Sequence, residues 1–225
     1  CSNNYLPQAG ALCRSFMDLH PGFVFYIVLA DEKKDSMDYS SFSPAQILPV
    51  AEAQCVDVHT LSAKYHIIEF CTALKPSFFK YFLKQFPEIE QVYYFDPDLF
   101  FYGSLLPVMQ QLASGREIVI TPHIITPIPL DGKKPNENLF LNYGIYNLGF
   151  IGIKAGGLQA SLFLDWWEER VLANGFDDVA NGFFTDQLWI NLAPVFFEKV
   201  HIEKGRGYNM GPGIYMNANL TPKAV

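Results

Sequence analysis

The chain has 225 residues, of which 50% are hydrophobic and only 17% charged, so it can bury a sizeable core and is too apolar to be a disordered segment. Its net charge is −7 and no Lys/Arg run exceeds two residues (Lys33-Lys34 and Lys133-Lys134), which argues against a nucleic-acid surface. No apolar run reaches the roughly 18 residues of a membrane-spanning helix, and no signal peptide is recognisable. Cys1, Cys13, Cys55 and Cys71 form neither a CxxC pair nor a zinc spacing, so they are expected to be reduced thiols of a cytoplasmic protein. Aromatic residues reach 16%, with 20 Phe and 12 Tyr, which suits an aromatic-lined cleft or a thick core.

Along the chain, strand and helix patterns alternate without repeats or a linker, as in a single α/β layered domain spanning 1–225. "CSNNY" reads as the tail of a first strand. Residues 6–20 form a helix with Ala9, Leu12, Cys13, Phe16 and Leu19 on one face, stopped by Pro21-Gly22. "FVFYIVLAD" is a buried strand ending at Asp31, and a polar loop follows. The spacing predicts one helix over 60–76, broken by Pro76, and a second over 77–87 with Ser77 as its N-cap. "QVYYF" is a strand, "SLLPVMQQLAS" a short helix and "EIVITPHI" a strand. Three prolines and a glycine make "TPIPLDGKKPNEN" a surface excursion. "YNLGFIGIK" is a strand, and "GLQASLFLDWWEERVLAN" is an amphipathic helix with Trp166-Trp167 on its core face. "FTDQLWINLAP" is a further helix starting near Thr185, and "KVHIE" is the last strand. The Gly/Asn-rich "GYNMGPGIYMNANL" could fold over a ligand as a lid.

Ligands of open α/β sheets bind beyond the carboxyl ends of the strands, and Asp31, Asp96 and His123 all fall at such ends. Asp96-Pro97-Asp98 interrupts the most aromatic stretch of the chain. Asp-x-Asp lets two carboxylates approach one divalent ion while substrate oxygens and water complete its shell, and the proline stiffens the presentation. The same tripeptide is also good turn chemistry. A phosphatase of the haloacid-dehalogenase type also places Asp-x-Asp after a strand, but near the N-terminus and followed by Thr or Val, unlike the mid-chain Leu99-Phe100 here.

"SNNYLPQAGALCRSF", "FDPDLFF", "YNLGFIGI" and "TDQLWIN" occur in that order over nearly the whole chain. This set resembles the GT-A-fold glycosyltransferases, most closely the family-8-type retaining enzymes and their bacterial relatives. The resemblance implies a Rossmann-like α/β fold with a mixed central sheet flanked by helices. It also implies a nucleotide-diphosphate sugar donor, with UDP as the nucleotide, and Mn2+ (or Mg2+) held by Asp96 and Asp98. Asn3, Asn4 and Tyr5 would border the nucleotide, with Tyr5 stacked on the base, although Asn4 could equally cap the following helix. Lys75 in "TALKP" would neutralise the diphosphate or pair with Asp96; the alternative is a solvated lysine closing a helix, where it suits the dipole. Asn147 and Gly149 would line the sugar pocket, although a glycine within a strand can also mark a bulge.

By the same resemblance Asp186 would bond sugar hydroxyls and Gln187 would lie near the anomeric carbon, whereas Thr185-Asp186 could simply start a helix. His123 would touch phosphate, sugar or acceptor, or be structural. The third metal ligand that similar enzymes take from a C-terminal His-x-x-Gly has no counterpart here. The implied activity is metal-dependent transfer of the sugar, with retention, to a saccharide or lipid-linked acceptor, in the cytoplasm or at the inner face of the membrane, for surface polysaccharide. Two rivals are a metal-dependent phospho- or nucleotidyltransferase using the same Asp pair, and a catalytically degenerate carbohydrate-binding protein.

Overall fold

In the computed structural model, residues 1–208 are described. Asn3–Tyr5 forms a 3₁₀ turn that runs into α1 (Leu6–Leu19), whose Pro7 sits in the first turn, where no backbone donor is required. Strands β1 (Tyr26–Leu29) and β2 (Gln46–Pro49) pair in parallel, and α2 (Val50–Ala53) follows directly. Next come α3 (Val58–Lys64), α4 (Ile67–Ala73) and α5 (Lys75–Gln85), then β3 (Gln91–Phe95), α6 (Leu106–Ala113) and β4 (Ile118–Pro122). After the mostly exposed excursion lie α7 (Glu137–Tyr143), β5 (Tyr146–Lys154) and α8 (Leu158–Asn174). A short ribbon of β6 (Asp177–Asp178) and β7 (Phe183–Phe184), then α9 (Gln187–Ile190), α10 (Ala193–Phe196) and β8 (Val200–Ile202), complete the order.

The main sheet has the order β3-β5-β4-β8, with β5 antiparallel to both neighbours and β8 parallel to β4. The nine residues of β5 are buried except for Asn147 and Lys154, which are partly so, because the strand is covered on both faces and therefore reads as a near-continuous apolar run. One face packs on α4, α5 and α8 through Phe79, Phe163 and Trp167, and the other on α6 and α1 through Leu112, Val108 and Phe16.

Several local expectations are overturned. The helix expected over 60–76 is three helices. Tyr65 is extended and ends α3, and His66 opens α4 as an N-cap, accepting from Glu69 N while its own N–H donates to the Glu69 carboxylate. Pro76 breaks nothing, because it lies at the second position of α5; the boundary between α4 and α5 falls at Leu74 instead. Ser77 is not a cap but lies inside the first turn of α5 and donates to Glu168 Oε1 at 2.6 Å. Only Cys1 of "CSNNY" is strand-like. The helix expected across 184–194 starts later, because Thr185 has φ of 45°, incompatible with a right-handed helix. β2 lies just beyond the polar loop, in a stretch that carries no clear strand pattern because its four residues end in proline.

Glu168 on α8 also accepts from Lys80 at 2.6 Å, so one carboxylate fastens two turns of α5 to the layer beneath. Glu168→Ala is expected to lower unfolding stability by about 1.5–3 kcal/mol, the range for hydrogen bonds to a charged group, read from the urea midpoint at unchanged m.

Candidate active site

Lys75 opens α5, and its side chain is buried, contrary to the reading of a solvated lysine at a helix C-terminus. A cation at a helix N-terminus works against the helix dipole, so something stronger must hold it. Four groups do. Asp186 Oδ2 lies 2.9 Å from the ammonium, as an ion pair without a well-aligned hydrogen bond. The Leu148 carbonyl accepts at 3.0 Å, Asp96 Oδ1 stands at 3.9 Å, and the Tyr94 ring presents its face at 4.6 Å. Burial pulls the Lys75 pKa down, but Asp186 and then Asp96 outweigh it, so it is raised and the lysine stays charged. Burial raises the Asp186 carboxyl and Lys75 pulls it back only in part.

Each member is positioned by a local device. Thr185 occupies the left-handed region despite its branched Cβ, and its hydroxyl donates to Asp186 Oδ1 at 3.2 Å. Such strain survives only where the surroundings impose it; the Thr185 amide is tied to Phe176 O at 2.8 Å. Leu148 lies in an irregularity of β5: Ile120 pairs with Ile151 but Thr121 with Asn147, so residues 148–150 are extra on one side of the ladder. Such bulges re-aim groups beside functional sites, and here the Leu148 carbonyl is turned to Lys75. Gly149 shares the bulge and accepts from Asp96 N at 2.8 Å, and Asn147 Oδ1 accepts from Gly149 N at 2.9 Å.

A second group lies one residue further along. Gln187 donates to Tyr143 O at 2.7 Å and hydrogen-bonds His123, whose pKa burial lowers. The His123 ring lies 5.4 Å from that of Phe140. Gly144, at φ of 118°, makes room for this: a Cβ there would stand 2.8 Å from Gln187 Cγ. Asn3 is buried and fully used by the protein. Its amide donates to Glu32 O at 3.0 Å and accepts from Tyr39 at 2.6 Å, and its backbone N–H binds Asp31 at 2.6 Å. Asn4 and Tyr5 are exposed, with Asn4 accepting from Ser2, and both line the cavity that Asp31, Lys75 and Asp96 also line.

The carboxylates of the Asp-Pro-Asp turn differ. Asp96 is half-buried and accepts from the Tyr94 hydroxyl at 2.5 Å through Oδ1, which leaves Oδ2 open; Asp98 is exposed and has no partner among the described residues. This donor set of hard oxygens fits Mg2+ or Mn2+ with substrate oxygens and water completing the shell. The described residues contain no cluster of three metal-ligating side chains. The Gly/Asn-rich lid expected over 207–220 lies outside the described residues beyond Tyr208.

No family model matches the chain. It is 28% identical over 211 residues to the uncharacterized protein YfnF of Bacillus subtilis strain 168, covering 93% of this chain and 69% of that protein. Among solved structures it superposes on the apo form of the bifunctional glycosyltransferase WbbM with a TM-score of 0.54 at 15% identity, over 90% of this chain and 37% of that one. The galactosyltransferase LgtC, bound to donor and acceptor sugar analogues, is similar over 90% of this chain and 70% of its own, at 14% identity and a TM-score of 0.44. The chain has the GT-A fold of glycosyltransferases. Within that fold, Asp96 follows the edge strand β3 and Asp186 comes from the turn between β7 and α9, and Lys75 is their common counter-ion.

Sequence reasoning missed Tyr94, although the signal was present: residues two apart on a strand share a face, so the ring two positions before Asp96 lies beside it. Burial, the Asp96 charge and the hydrogen bond to it push the Tyr94 phenol well above its usual value, so it remains a donor to Asp96. Lys75→Met is expected to destabilise the fold by about 3–5 kcal/mol, since it leaves Asp186 charged and unpaired in the core. Combining it with Asp186→Leu should recover most of that loss, a coupling read from a double-mutant cycle of urea midpoints. Gly144→Ala should shift Gln187 and free His123, seen as a change in the His123 pKa by NMR titration.

Proposed function

We propose that this chain is a metal-dependent glycosyltransferase that moves a sugar from a nucleotide-diphosphate sugar, with UDP as the nucleotide, to a saccharide or lipid-linked acceptor with retention of configuration. The observation that carries the reading is the arrangement at the end of β3: an unpartnered, exposed Asp98 beside Asp96, whose other oxygen is fixed by Tyr94 and backed by a buried lysine. The fold shared with known glycosyltransferases supports it.

On this reading Asp96 and Asp98 hold Mn2+ or Mg2+, which when bound supplies Lewis-acid stabilisation of the departing diphosphate. Tyr94 orients Asp96. Lys75 holds Asp186 in place, and Asp186 bonds sugar hydroxyls from the floor of the site. Gln187, kept in position by Tyr143 and His123, faces the anomeric carbon, and Asn147 and Gly149 shape the sugar pocket. Asn4 and Tyr5, exposed at the cavity mouth, border the nucleotide base, with Tyr5 offering a stacking face, while Asn3 serves by shaping the turn that presents them. No described helix is long and apolar enough to cross a membrane.

Calorimetric titration of UDP with and without Mn2+ tests the proposal. Wild type should bind in a Mn2+-dependent manner. Asp98→Ala should abolish that dependence while leaving stability within about 0.5 kcal/mol, as for an exposed side chain without partners. Tyr94→Phe, which removes only the hydroxyl that orients Asp96, should weaken Mn2+-dependent binding by about 10–100-fold, the usual effect of losing an outer-shell partner. Binding of UDP that ignores both Mn2+ and Asp98 would overturn the metal assignment. Metal-dependent binding of a triphosphate in preference to the diphosphate would point to nucleotidyl transfer instead.

A further inference from the structure

The segment that joins α7 to β5 is gripped by both Gln187 and His123. Tyr143 O accepts from Gln187 Nε2 at 2.7 Å, and Ile145 O accepts from His123 N at 2.9 Å. Between these two carbonyls lies Gly144, with φ of 118° and ψ of 137°, a conformation open to glycine and strained for other residues. A glycine lets the peptide planes on its two sides turn independently, so each plane needs its own tether. The Tyr143–Gly144 plane has one in the last bond of α7, from Gly144 N to Phe140 O at 2.9 Å. That bond ties it only to a surface helix, because α7 contributes no buried residue. The Gly144–Ile145 plane is held by a side chain: Asn191 Oδ1 accepts from Ile145 N at 2.8 Å.

Asn191 closes α9 in helical geometry, four residues after Gln187, and residues four apart share a helix face. One short helix therefore grips one segment twice, at Tyr143 through Gln187 and at Ile145 through Asn191. A single contact would act as a pivot; two contacts fix a direction. The helix is itself a firm base, since Ile190 is fully buried and Trp189 Nε1 donates to Asn174 O at 3.2 Å. The Asn191 side chain has no duty within the helix, where the cap is made by its backbone N–H to Leu188 O and Trp189 O. Nor is the bond to Ile145 needed to satisfy a buried donor: Ile145 is exposed and Asn191 half-buried, so water would replace the lost partner and the net effect on stability is small. We propose that Asn191 is a positioning residue of the candidate site, which registers the Tyr143–Ile145 segment against α9 and so fixes the side chain of Gln187 against Tyr143 O and His123. Its bearing on transfer rests on the proposed function, in which Gln187 faces the anomeric carbon; the geometric role does not. The oxygen is the atom that matters, because Asn191 Nδ2 has no hydrogen bond among the described residues. Asp at this position keeps the acceptor, whereas Leu keeps the shape and loses it.

Nitrogen-15 relaxation of the Gln187 side-chain amide, measured on the 225-residue chain and three variants, tests this. Wild type and Asn191→Asp should both show an ordered amide. Asn191→Leu, and Asn191→Ala as a second variant without added bulk, should lower its order parameter below about 0.6, the range of flexible groups. Urea midpoints should stay close to that of wild type throughout, which separates lost positioning from lost folding. Equal order in all four forms would overturn the proposal. So would disorder in Asn191→Asp as great as in Asn191→Leu, since the accepting oxygen would then not be the cause. A lowered urea midpoint in the Leu and Ala variants with Gln187 still ordered would make Asn191 a purely structural residue and equally overturn it. Mn2+-dependent binding of UDP to the wild type is scored separately: its absence would remove the transferase reading, and the relaxation comparison would still decide the role of Asn191.

Discussion

The buried ammonium of Lys75 is the constraint on which the carboxyl edge of the sheet depends. It draws together the first turn of α5, the end of β3, the bulge of β5 and the turn after β7. A charge in that position is unfavourable in three ways at once, by desolvation, by the helix dipole and by rotamer loss. Only its full set of partners makes it tolerable. Each partner is in turn held where it stands by something local: Asp186 by the strained Thr185, Leu148 O by the bulge, and Asp96 by Tyr94 and by Gly149 O. A buried ion pair contributes little net stability against an apolar replacement, so its worth lies in fixing where the two carboxylates point.

Much of this was legible in the sequence, and the reasons are specific. β3 and β5 read correctly because each is a run of β-formers bounded by turn residues, and α8 because its apolar face recurs at helical period over 17 residues. Asp96 and Asp98 stood out because carboxylates rarely follow such a run. The connection 58–85 did not read correctly. Its capping residue is a histidine, and its proline lies where a helix accepts one, so both boundary signals pointed to the wrong residues. Lys75 was identified as a partner of Asp96, but its contact with Asp186 joins positions 111 residues apart, which no local pattern encodes. The bulge that aims Leu148 likewise depends on the register of β4 against β5, a tertiary property.

The architecture also separates rigid from adjustable parts of the site. Asp186 and Lys75 lie in the interior with the half-buried Tyr94 against them, and their arrangement is determined by packing. Asp98, Asn4 and Tyr5 lie at the surface, with few contacts to hold them. A site built this way keeps a fixed floor under a mouth that can adapt to what enters, as expected where binding groups sit on loops presented by a scaffold.

Charge bears on the proposed reading most directly. Asp31, Asp96 and Lys75 line one cavity at the carboxyl ends of β1 and β3, and the lysine is already committed to Asp96 and Asp186. Asp96 and Asp98 place two carboxylates just after β3. A diphosphate carries the same sign, and at separations of a few ångströms like charges in a partly desolvated site repel by several kcal/mol. Lys75 cannot relieve this by turning outward, because doing so would strand Asp186 in the core. On the proposed function the free carboxylate of Asp98 with the open oxygen of Asp96 is where a divalent cation would supply positive charge. The acidic site is then not at odds with an anionic donor. On that reading donor binding is conditional on the metal.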